Sequence, residues 1–117
     1  MWQAWVSPHL YEHYGHEHTT AHRFTRPDAE GLQRARMNAV NALRAEPQTQ
    51  VRLIANAGAV AAALDQPNEQ ADALTYLCPN TLAHLQREAH APLQVLDAPA
   101  VLVLARLQQH GWAYIRS

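Results

Sequence analysis

Two groups of side chains in this sequence have the types needed for chemistry: one thiol and a cluster of imidazoles. The thiol is Cys78, the single cysteine, in the run Leu77-Cys78-Pro79-Asn80-Thr81. Five of the eight histidines, His9, His13, His16, His18 and His22, fall in the first 22 residues. A thiol at the start of a helix is the more pointed feature, because the helix N-terminus favours the nucleophilic thiolate. Asn80 or Thr81 is expected to cap that helix, and His84, six residues after the thiol, is a candidate hydrogen-bond donor to it. Six positions is nearly two turns, so an exposed helix-face histidine is the better reading of His84. The bland reading of Cys78 itself is a small buried hydrophobe. Without a second cysteine it cannot resolve as an internal disulfide, so turnover requires a partner thiol or a second subunit.

The histidine segment admits a metal. If residues 8–14 are helical, His9 and His13 stand at i and i+4, with His16, His18, Glu12 and Glu17 as further donors. No HExxH motif is present and Gly15 interrupts the helix, so a solvated or interaction tail is the stronger reading. Asn38 and Asn41, at i and i+3 among apolar neighbours, are expected to hydrogen-bond near a crevice. Asn56-Ala57-Gly58 reads as a structural turn; Gly58 stands alone, without the glycines of a dinucleotide-binding loop.

The elements that must position these residues follow from spacing. Ser7-Pro8 opens a short helix ended by Gly15, and Thr19 to Thr25 suits a strand. Leu32, Ala35, Ala39 and Leu43 share one face of a helix capped by Asp28, running to about Glu46 and stopped by Pro47. Residues 50–55 read as a buried strand, 59–65 as a helix, 73–78 as a strand and 82–89 as a helix. Residues 93–96 then read as a strand, 101–109 as an apolar helix closed by Gly111, and 112–115 as a last strand. This alternation predicts an α/β domain with a mainly parallel sheet of about five strands, covered by helices on both faces. The helix from Val101 is apolar on more than one face and calls for cover on both sides.

Composition bounds the rest. The 117 residues suit one domain, and a net charge of -1 lacks the basic footprint of a nucleic-acid binder. There is no lysine, which excludes P-loop and Schiff-base chemistry. No apolar run reaches the roughly 20 residues of a membrane span, and no leader is recognisable. A cytoplasmic protein without a bound cofactor is therefore expected.

Four segments together resemble the DsrE/DsrF-like family of small sulfur-handling α/β proteins. They are Met37-Asn38-Ala39-Val40-Asn41-Ala42-Leu43, Val51-Arg52-Leu53-Ile54-Ala55-Asn56-Ala57-Gly58, Cys78-Pro79-Asn80-Thr81-Leu82, and Leu107-Gln108-Gln109-His110-Gly111-Trp112-Ala113-Tyr114-Ile115. The resemblance covers about residues 19–117, leaving 1–18 as a histidine- and aromatic-rich extension. It departs from the family pattern in a short stretch between Leu64 and Ala73. It implies a DsrE-like three-layer sandwich, a homo-oligomer, and sulfur relay in which Cys78 carries a persulfide between donor and acceptor proteins. Asn80 and Thr81 would shape the helix end around the thiolate, with His84 as an assistant. The alternative function is a non-catalytic oligomeric scaffold whose histidine-rich end binds metal or a partner.

Overall fold

The first long helix, α1, forms over Pro27–Ala45 because small and apolar residues recur on one face. Leu32, Ala35, Ala39 and Ala42 are all buried along it. The computed structural model describes residues 2–5 and 27–116, with side chains from residue 29 onward. The helix begins at Pro27, whose fixed φ suits a first turn, so Asp28 lies inside that turn instead of capping it.

Strand β2 follows at Val51–Ala55, helix α2 at Gly58–Asp65, and strand β3 at Thr75–Leu77. Helix α3 spans Pro79–Leu85, strand β4 Gln94–Val95, helix α4 Ala100–Gln109, and strand β5 Ala113–Arg116. Strands β2, β3 and β4 are parallel neighbours. Strand β1, Trp2–Trp5, pairs antiparallel with β2 on one side and with β5 on the other. Among the described residues the strand order is β4-β3-β2-β1-β5. The protein is thus α/β, with a parallel three-strand unit extended by β1 and β5.

The two faces of the sheet carry different helices. Val51, Leu53 and Ala55 alternate along β2 toward a core shared with α1, α2 and α3. Ile54, in between, packs with Cys78, Ala100, Val103 and Leu107 on the α4 side. That two-residue period places helices on both faces.

Three expectations change. Residues 2–5 are not part of an extension beside the domain: they form a strand inside the sheet. Their four residues show no usable period, and their pairing depends on two partners distant in sequence. The strand expected at 73–78 starts later, because Asp72–Leu74 forms a 3-10 turn. The helix expected at 82–89 starts at Pro79 and ends at Leu85. Gln86 takes a left-handed conformation at φ 57°, where its N–H bonds the Ala83 carbonyl and the Arg87 N–H bonds that of Leu82. This is the usual glycine-marked helix stop, made here by glutamine, so the composition did not announce it. The Ser7-to-Gly15 helix, the Thr19-to-Thr25 strand and the first five histidines lie outside the described residues.

Candidate functional site

Cys78 stands where β3 ends and α3 begins. Its N–H continues the ladder to the Ala55 carbonyl at 3.0 Å, and its own carbonyl accepts from the Leu82 N–H at 3.1 Å. The residue therefore occupies the N-cap position of α3, with Pro79 at the first helical position. The N-cap position, expected at Asn80 or Thr81, falls at Cys78 itself.

Cys78 is buried, with 6% of its surface exposed. Burial acts first on its acidity and pushes the thiol pKa up. Opposing it are the backbone N–H groups of Ala100, Thr81 and Asn80 and the hydroxyl of Thr81, which together bring the thiol below its ordinary value. No regular side-chain capping bond closes on the sulfur, so these donors act as a set of dipoles facing it. Two of the backbone donors belong to the start of α3, and the third, Ala100, opens α4. The thiol thus lies between two helix N-termini, each presenting partial positive charge.

Thr81 joins this site to the turn that follows β2. Its Oγ1 accepts from the Ala57 N–H at 3.2 Å while its hydroxyl faces the sulfur. Ala57 holds φ 50° and ψ -134°, which an L side chain rarely adopts. Its neighbours complete the turn internally: the Ala59 N–H bonds Asn56 and the Val60 N–H bonds Ala57. Asn56-Ala57-Gly58 is therefore a structural turn that also aims one N–H at Thr81. Ala57→Gly is expected to relieve the backbone strain and stabilise the protein by about 1 kcal/mol, read by urea unfolding. The thiol acidity should stay unchanged, because the N–H remains.

The other sequence candidates lie elsewhere. His84 is exposed in the last turn of α3 and is not among the groups that lower the thiol pKa. Asn80 is exposed and contributes its backbone N–H. Asn38 is half-buried and Asn41 exposed; with Met37 they line a groove along the outer side of α1, of which Cys78 is not part. His9, His13, His16 and His18 lie outside the described residues. Among the described residues no group of three His, Cys, Asp or Glu side chains is arranged to hold a metal.

A second groove runs beside α4, lined by Asn56, Val101, Leu104, Ala105, Gln108 and Tyr114. Burial pushes the Tyr114 phenol up to about 12, against the opposing charge of Arg116. Two features had no marker in local sequence. One is Ala100 as a donor to the thiol; Ala98-Pro99 announces a helix start but not where that start is placed. The other is a buried ion pair, Arg36 to Asp72 at 3.2 Å, joining α1 to the 3-10 turn. No described helix is long and apolar enough to cross a membrane. Comparison with models of protein families, with curated proteins and with solved structures found no match to this chain.

Proposed function

We propose that the protein is a DsrE-like sulfur carrier that relays sulfane sulfur as a persulfide on Cys78. The observation that supports this reading is the thiol's seat between the starts of α3 and α4, where backbone and hydroxyl donors outweigh burial and favour the thiolate. In the loading step the Cys78 thiolate attacks the outer sulfur of a donor persulfide, RS–SH. The new S–S bond forms on Cys78, the donor's S–S bond breaks, and the donor leaves as RS⁻. Unloading is the same exchange in reverse sense: an acceptor thiolate attacks the terminal sulfur and the Cys78 thiolate departs. Electrons balance in both steps without an external oxidant. The donors that favour the thiolate lower its energy as attacking group and as leaving group, which suits a carrier working in both directions.

The reading carries with it a cytoplasmic homo-oligomer that meets donor and acceptor proteins. In its support, α4 turns Val101, 76% exposed, and Leu102 away from the core. The test is intact-mass measurement after incubation with a sulfane-sulfur donor and a sulfurtransferase. The expected result is a gain of one sulfur on the wild type that Cys78→Ser loses. A wild type that gains none overturns the reading.

A further inference from the structure

At the end of the sheet opposite the thiol, the N-terminal end of β2 carries an arginine held by the aromatic rings of Tyr76 on β3 and of Trp112 just ahead of β5. The Arg52 guanidinium carbon lies 4.8 Å from the centroid of the Trp112 ring and 5.6 Å from that of Tyr76. Cation–π attraction holds the guanidinium against the rings. Among the described residues no carboxylate forms an ion pair with Arg52. The half-buried charge opens on a groove of about 290 Å³ whose lining combines Arg52 with Thr49, Gln50 and the apolar Leu43, Val51 and Leu74.

We propose that this groove binds a small carboxylate with an apolar body. The charge, the planar fork of donors and the apolar walls set its chemistry. A guanidinium accommodates a carboxylate through two parallel N–H···O bonds, and aromatic contact keeps its plane from turning away. A ring or branched chain behind the carboxylate would cover the partly buried Leu43 and Leu74. Carboxylate and body are both needed: a bare anion leaves the apolar walls wet, and a neutral isostere leaves the cation unpaired. The site is separate from Cys78, so its occupancy does not depend on sulfur transfer.

The experiment is titration of the full chain with benzoate, followed by the side-chain N–H signals of its arginines in a two-dimensional NMR spectrum. Arg52→Lys assigns the signal and serves as the variant. The expected result is a saturable benzoate shift centred on Arg52, with acetate and benzamide each at least about tenfold weaker. Arg52→Lys keeps the charge but loses the fork and should bind benzoate about tenfold less tightly. That loss is read from backbone signals of Thr49 and Gln50. Shifts in the wild type that fail to saturate, that spread over all arginines alike, or that acetate reproduces with equal affinity overturn the proposal. Equal benzoate binding by a folded Arg52→Lys does the same.

Discussion

Replacing Asp72 with alanine is expected to cost about 3–5 kcal/mol of folding free energy, the range for breaking a buried ion pair by removing one partner. Arg36 and Asp72 are 2% and 3% exposed at their side chains. Burial alone lowers the Arg36 pKa, and the nearby Asp72 carboxylate opposes that shift. The other carboxylate oxygen of Asp72 accepts from the Asn68 N–H at 3.1 Å, so one side chain anchors both α1 and the loop before β3. The Arg36 Nε has no hydrogen-bond partner among the described residues. Once Asp72 is gone, an unneutralised guanidinium remains where water cannot reach it. A thermal midpoint lower by more than about 10 °C, followed by circular dichroism, is the corresponding readout. The combined change Arg36→Met and Asp72→Leu should cost far less than the two single changes summed. It removes both charges together and leaves chiefly the Asn68 N–H without its acceptor, a loss of about 1–3 kcal/mol. A single Asp72→Ala loss below about 1 kcal/mol would show that the pair is reached by solvent.

The second large effect concerns the acidity of Cys78. Its alkylation rate by iodoacetamide should rise with pH along a curve whose midpoint is lowered from the ordinary thiol value, because the donors from Ala100, Thr81 and Asn80 outweigh burial. Thr81→Val removes the hydroxyl that faces the sulfur and is expected to raise the midpoint by about 0.5–1 pH unit, one hydrogen bond's worth of preference for the thiolate. Thr81→Ser, which keeps the hydroxyl, should restore it; a merely structural role for Thr81 would leave the midpoint unmoved in both variants. The same depression makes a stability prediction with a definite sign. An acid whose folded pKa lies below its unfolded value contributes stability that is fully present above the unfolded pKa and lost as pH falls through the folded pKa. Wild-type stability should therefore climb across that interval relative to Cys78→Ser, which has no thiol to titrate. If the two proteins keep a constant difference across the alkaline range, the donors do not favour the thiolate.

Much of this chain was legible from residue order. The burial of Leu32, Ala35 and Ala39 follows from a period of 3.6, and that of Val51, Leu53 and Ile54 from a short apolar run. Those patterns are local properties of helices and strands. The position of Cys78 at a strand end ahead of a helix was legible for the same reason, although the helix expected from Leu82 starts at Pro79. The ends of elements were less so: Gln86 stops α3 in a conformation that glycine would have advertised, and Asp72–Leu74 tightens into a 3-10 turn ahead of β3.

By itself, then, the sequence determined the alternation of strands and helices, the faces they bury, and a single thiol at a helix start. The tertiary structure alone decided what surrounds that thiol. Ala100 reaches it only because α4 crosses the opposite face of the sheet from α3, bringing a second helix start to the end of β3. It also decided that Trp2–Trp5 lies between β2 and β5, and that Arg36 meets Asp72 away from solvent. Each of these joins residues far apart in the chain, and such pairings depend on how packed layers dock, which no local period encodes.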